Sequence, residues 1–203
     1  MRKIPAAMAT QHPDNAANPP WAEGQVIEGD TELHEAYFAY QALRCNEVMW
    51  DSEGKDVDTH VMRKLLSNYP DFFQKEVIGE DVFLTYRIPN PQIEKAERKI
   101  VTETLQIIPL SSDVASLFYK RKVVPIFEVI LPFTTSGQQL LWIDDYYRKV
   151  IAGAQGVKLA GSMTVKDWVG AVSPKSISVI PLVEDMESLL VIDKIITQFL
   201  RAV

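Results

Sequence analysis

Four places in the chain set a chemically able side chain beside apolar sequence. His12 lies in ATQHPDN (Ala9–Asn15), between a polar pair and Pro13. Arg87 stands near the end of VFLTYRI (Val82–Ile88), two residues before Pro89. Glu128 lies within VVPIFEVIL (Val123–Leu131), and Glu184 and Asp185 follow directly on ISVIPLV (Ile177–Val183). A histidine titrates near neutrality and can move protons. An arginine clamps a phosphate or carboxylate through two parallel hydrogen bonds. Two carboxylates on neighbouring strands can hold Mg²⁺ with few protein ligands, leaving room for phosphate and water. Together these groups suit a site for a phosphorylated enol.

Each residue also has a plain structural role to weigh. His12 could bond backbone in a turn. Arg87 could pair with a nearby carboxylate. Asp185 could cap the helix that follows it, which leaves Glu184 needing another explanation. Glu128 could sit in a buried salt bridge, because a carboxylate in an apolar strand is costly unless paired or bound to metal. Cys45 reads as a packing residue, and His34 and His60 read as surface residues of helices.

The elements that must position these groups show in the hydrophobic spacing. Asp14–Gly29 is rich in Asn, Pro and Gly and reads as loop. Asp30–Trp50 carries Leu33, Tyr37, Tyr40 and Leu43 at helical spacing, and Asp56–Ser67 carries Val57, Val61 and Leu65 in the same way. Val82–Ile88 reads as a strand. Gln92–Ile107 returns to helix, with Ile93, Ala96, Ile100 and Thr104 on one face. Val123–Leu131 is nearly all apolar, as a strand covered on both sides should be. Ser136–Ile151 reads as helix and Ile177–Val183 as strand. Asp185–Ala202 is the last helix, with Met186, Leu189, Ile192, Ile196 and Phe199 facing inward. Residues 4–9 read as a further strand. About four strand–helix units imply a parallel sheet with covering helices, either doubly wound or part of an α/β barrel. No GxGxxG and no GxxxxGK[ST] follows a strand, which weighs against a nucleotide-binding sheet. A whole barrel needs eight units and about 250 residues. In either fold chemistry gathers at the C-terminal ends of the strands.

Composition bounds the classes of function. Of 203 residues 47% are hydrophobic, enough for a packed core. The single cysteine cannot close an internal disulfide, as expected of a reducing cytosol. No run approaches the roughly 20 apolar residues that span a membrane. The net charge of −6, with acids and bases mixed along the chain, argues against a nucleic-acid binder. A few local cations can still bind an anionic small molecule.

Several ordered motifs carry a resemblance. ATQHPDN at 9–15, MWDSEGKDVD at 49–58, FLTYRIPNP at 83–91, FEVILPFTTSG at 127–137 and IPLVEDMESL at 180–189 resemble the archaeal-type phosphoenolpyruvate carboxylases over essentially the whole chain. The resemblance implies an elaborated α/β barrel of the TIM type, usually a homotetramer, of which residues 1–203 are one incomplete N-terminal domain. It implies a cytoplasmic enzyme, with no membrane and no nucleic-acid partner, that uses Mg²⁺ or Mn²⁺ to convert phosphoenolpyruvate and bicarbonate into oxaloacetate and phosphate. In the family's reaction bicarbonate attacks phosphorus, giving carboxyphosphate and the pyruvate enolate. A histidine helps take the carboxyphosphate proton, CO₂ is freed, and the enolate carbon attacks it.

Residue by residue, ATQHPDN is similar to the TAHPTE-like motif of the longer carboxylases, so His12 inherits the proton-handling role. FLTYRIPNP resembles the strand whose arginine contacts substrate, which assigns Arg87. MWDSEGKDVD resembles the longer branch's WxGGDRDGNP, with Lys55 where an arginine stands, so Lys55 joins Arg87 in substrate binding. Glu128 and one acid of Glu184–Asp185 are the metal candidates, Glu184 ahead of Asp185. The family's later arginine-bearing and glycine-rich segments do not occur here, so the expectation is a fragment active only with its remainder. Two other readings stand beside it. One is a non-catalytic module of the same fold that binds metal or associates with partners. The other is a different Mg²⁺-dependent enolate lyase or aldolase barrel.

Overall fold

The structure, a computed structural model, describes residues 4–11, 17–22, 27–52 and 58–203. His12 and Lys55 lie outside the described residues, as does Val57. Five parallel strands form one sheet: β1 (Met8–Ala9), β2 (Glu47–Asp51), β3 (Phe83–Arg87), β4 (Glu128–Leu131) and β5 (Ser178–Pro181). Their spatial order is their chain order, β1-β2-β3-β4-β5. Each strand therefore lies beside the next, without the reversal of order that marks a doubly wound sheet.

Helices carry the chain from strand to strand. α1 (Asp30–Gln41) joins β1 to β2, and α2 (Val61–Asn68) and α3 (Pro70–Phe73) join β2 to β3. α4 (Arg98–Tyr119) leads to β4. α5 (Gly137–Tyr146), continued by a π-helical turn at Tyr147–Ile151, and α6 (Val165–Val169) lead to β5. α7 (Met186–Leu189) and α8 (Ile192–Leu200) follow.

The alternation of side chains along a strand divides the sheet into two faces. Val48, Trp50, Leu84, Tyr86, Val129, Leu131 and Val179 face the helices and join one buried core with Leu33, Leu65, Leu105 and Ile143. Burying each such side chain contributes about 1.5–3 kcal/mol. The opposite face carries Glu47, Met49 and Asp51 from β2, Phe83, Thr85 and Arg87 from β3, and Glu128 and Ile130 from β4. The sheet thus stands between an apolar face that holds it to the helices and a face rich in polar groups.

Several expected elements are corrected. Asp30–Trp50 is not one helix: it ends at Gln41, turns through Arg44 at φ 60°, and becomes β2. Leu43, expected inward, is 60% exposed past the helix end. Val123–Leu131 is strand only from Glu128, with Pro125 in the approach to it. Helix α4 begins at Arg98, leaving Ile93 exposed, and runs on through Pro109 to Tyr119. The last helix is two, α7 and α8. Its buried residue is Ile195, whereas Met186, Leu189 and Ile196 are exposed. His34 is half-buried rather than on the surface, with Nδ1 3.2 Å from the hydroxyl of Tyr69, which stacks on Tyr37. His60 is exposed, and Cys45 packs against the core, as the sequence suggests.

Candidate active site at the carboxyl ends of the strands

Arg87 is the last residue of β3 and stands in register with Asp51, the last residue of β2. Neighbours in register on a parallel sheet project to the same face, so the two side chains meet. Arg87 Nε donates to Asp51 Oδ1 at 3.0 Å, and Nη2 donates to Oδ2 at 2.5 Å. Both are mostly shielded, with side chains 25% and 14% exposed. The strands are pinned together there as well, since Ser52 N–H donates to the Arg87 carbonyl at 2.9 Å. The plain role foreseen for Arg87, a carboxylate partner, is therefore present.

A third element joins this pair. The backbone N–H of Asp51 donates to Gln11 Oε1 at 2.8 Å, and Gln11 Nε2 reaches Glu32 Oε1 at 3.4 Å. Gln11 is the residue before His12. Gln11 thus lies beside the carboxyl end of β2, on the same edge of the sheet as Arg87.

The loops after β3, β4 and β5 brace one another on this edge. Asn90, 1% exposed, donates through Nδ2 to the carbonyls of Pro132 at 2.9 Å and Phe133 at 3.3 Å. Buried Gln139 accepts from the N–H groups of Thr135 and Ser136 and donates to Gln92 at 3.0 Å. Phe133 adopts φ 50°, a left-handed conformation that a side chain rarely takes without surrounding support. Its N–H donates to Glu184 Oε2 at 2.8 Å, tying the loop after β5 to the loop after β4. Loops braced in this way present their side chains at fixed positions.

The four described candidates do not all meet. Glu128 is the first residue of β4, paired with Ser178 at the start of β5. From Ser178 to Pro181 is about 10 Å along the strand, and Glu184 lies beyond that end. Glu128 therefore sits on the same face as Arg87 but two residues before its level, at the middle of β3, whereas Glu184 lies past the carboxyl end of β5. It is 6% exposed and level with Thr85, whose hydroxyl bonds buried Glu47. Asp185 caps α7: its Oδ1 accepts from Ser188 N–H at 2.7 Å. That backbone hydrogen bond holds the Asp185 carboxyl below its ordinary range. Among the described residues no three His, Cys, Asp or Glu side chains gather as a metal-holding group. Glu184 is exposed on the carboxyl edge, with one oxygen held by the Phe133 N–H.

Sequence reasoning missed Asp51 and Gln11 as members of the site. Asp51 had a readable signal. In Glu47-Val-Met-Trp-Asp51 two acids bracket three apolar residues, a short run followed by the turn-forming types Ser52 and Gly54 that can mark a strand. Absorbed into the preceding helix, that signal was lost. Gln11 carries no signal of its own.

The Arg87–Asp51 pair stands where strands of a parallel α/β sheet end, the edge on which folds of this class gather their chemistry. The model of the family described as phosphoenolpyruvate carboxylase matches residues 4–203, so the chain belongs to that family. It is 54% identical over 203 residues to the phosphoenolpyruvate carboxylase of Metallosphaera sedula, covering 100% of this chain and 40% of that protein. The same-named proteins of Picrophilus torridus (54% over 201 residues) and Methanothermobacter thermautotrophicus (48% over 198) match over 98% of this chain each. The chain spans about 40% of the length of these relatives.

Proposed function

We propose that this chain supplies the phosphoenolpyruvate end of a phosphoenolpyruvate carboxylase site, in a polypeptide of its relatives' length that forms oxaloacetate and phosphate from phosphoenolpyruvate and bicarbonate. The observation that carries this reading is the meeting of Arg87, Asp51 and Gln11 on the carboxyl edge, with His12 next in sequence. The unreversed strand order supports a further part of it, that the five strands are the first portion of an α/β barrel. A cytoplasmic homotetramer completes the reading by likeness to the family. No described helix is long and apolar enough to cross a membrane.

Arg87 binds the phosphate of phosphoenolpyruvate, its positive charge offsetting the anion as the bond to the enol oxygen breaks. Lys55 adds a second cation. His12 takes the carboxyphosphate proton, which frees CO₂ for attack by the enolate carbon. Mg²⁺ or Mn²⁺ fits this edge as an open site rather than a closed cage, because such an ion keeps several waters and uses one or two carboxylates. Glu184 would hold it, since Asp185 is engaged as a helix cap and Glu128 is buried within the sheet, two residues below the level of Arg87. Once bound, the ion supplies positive charge for the enolate oxygen.

The test is a malate-dehydrogenase-coupled assay on the protein purified as its own cell makes it. Bicarbonate-dependent oxaloacetate formation is expected, falling about 10²–10⁴-fold in His12→Asn, the range for a lost general base. Calorimetric Mg²⁺ binding should survive that change. Carboxylation that persists in His12→Asn would remove the role given to His12. Turnover by the 203 residues alone would remove the need for a longer polypeptide.

A further inference from the structure

We infer that Asn90 is a positioning residue for the ion-holding carboxylate: through one peptide plane it aims the Phe133 N–H at Glu184. This inference rests on the reading above, in which Glu184 holds the ion, and deepens it. The peptide joining Pro132 to Phe133 is planar and trans, so its carbonyl and its N–H point in opposite directions and turn together. Asn90 Nδ2 donates to that carbonyl at 2.9 Å, and that N–H donates to Glu184 Oε2 at 2.8 Å. The next peptide is gripped in the same sense. Its carbonyl, that of Phe133, accepts from Asn90 Nδ2 at 3.3 Å, and its N–H, that of Thr134, donates to the Leu182 carbonyl at 3.0 Å. Phe133 thus stands between two planes, each held by Asn90 on one side and by the loop after β5 on the other. That double grip supports its φ of 50°. Turning the first plane over would return φ to the ordinary negative range and swing the N–H away from Glu184. Asn90 is itself firmly seated. It is 1% exposed between Pro89 and Pro91, and its Oδ1 accepts the Gln92 N–H at 3.1 Å, which directs the amide donor toward the loop after β4.

Asn90→Ala removes the donor and lets the plane turn, so the Glu184 carboxylate loses its fixed direction. The Mg²⁺ Kd should rise about tenfold, the low end for a residue that orients a metal ligand. Two exchanges at Phe133 separate the backbone from the side chain, since both remove the ring. Glycine adopts the left-handed conformation freely, so Phe133→Gly should keep Kd within about threefold of the parent. Valine, branched at Cβ, resists that conformation, so Phe133→Val should weaken Kd about tenfold, as Asn90→Ala does. Adding Phe133→Gly to Asn90→Ala should restore most of the lost binding. A residue that only supports the fold would lower Tm and leave Kd unchanged.

The measurement is the calorimetric Mg²⁺ Kd, with Tm, for the parent, Glu184→Gln and these variants, in the protein as its cell makes it. Weakened binding in Asn90→Ala, together with weaker binding in Phe133→Val than in Phe133→Gly, supports the inference. Binding that weakens in Glu184→Gln but stays within about twofold of the parent in folded Asn90→Ala overturns the inference alone. Should Asn90→Ala fail to fold, the Phe133 pair decides, because Phe133 is 36% exposed and lies outside the core, and equal Kd in the two variants rejects the inference. A Glu184→Gln Kd equal to that of the parent rejects the assignment of the ion to Glu184, and the inference falls with it. A parent that binds Mg²⁺ but never forms oxaloacetate overturns the functional reading instead, and the same Kd series still judges the inference.

Discussion

Arg87 and Asp185 show how a residue type with two roles is resolved by its neighbours. Arg87 has its carboxylate partner, and the partner sits with it at the end of two adjacent strands, where a structural pair can also orient a binding group. Asp185 has its cap, and the cap is the role its geometry fills. Its carboxyl is held low by the Ser188 N–H, so its contribution to stability is present above its unfolded value near pH ~4 and lost as pH falls through the lower folded value. The Tm advantage of the native protein over Asp185→Ala should therefore narrow as pH drops from about 5 to 3, measured by thermal melts. A gap that widens on acidification would contradict the assignment. At this scale the sequence announces which residues can do chemistry but not which partner each one finds. Asp51 lies on a different strand from Arg87, 36 positions earlier in the chain, and spacing cannot reveal such a meeting.

The elements explain why the site is braced. Gly137 opens α5 directly after the loop that follows β4, and α8 passes close over it: a Cβ there would lie 2.6 Å from the Ile195 carbonyl oxygen. Its N–H donates to Gln198 Oε1 at 3.1 Å, a contact that requires this closeness. Gly137→Ala should force the two helices apart at a cost of about 1–3 kcal/mol, read as a lower midpoint in urea unfolding. An unchanged midpoint would mean that α8 is not held against α5. Strands β3 and β5 and the first turns of α5 are legible from apolar runs and their flanking Pro and Gly. Strand β2 is hidden because the helical spacing of Leu33, Tyr37, Tyr40 and Leu43 runs on into Val48-Met49-Trp50, an apolar run too short to fix a period of its own. Glu128 moved from the middle of a strand to its start because Val123–Phe127 is apolar for burial, not for pairing.

For the molecule as a whole, the sequence pattern reaches the α/β class and the parallel sheet, and the family match extends over residues 4–203. Five strands in chain order put every carboxyl end on one edge, and the polar residues of that edge come from separate strands and loops. This arrangement lets a site assemble from single residues contributed by each unit, so no one motif carries it and several ordered motifs do. Strand order and the Asp51–Arg87 meeting depend on how the helices pack the strands side by side, which local spacing does not encode. The most direct measurement is bicarbonate-dependent oxaloacetate formation by the protein as its cell makes it, for the parent and for Arg87→Gln. The account predicts turnover in the parent and a loss of about 10²-fold or more in kcat/KM in Arg87→Gln, with the fold intact by circular dichroism. A parent without bicarbonate-dependent turnover, or an Arg87→Gln variant as active as the parent, would contradict it.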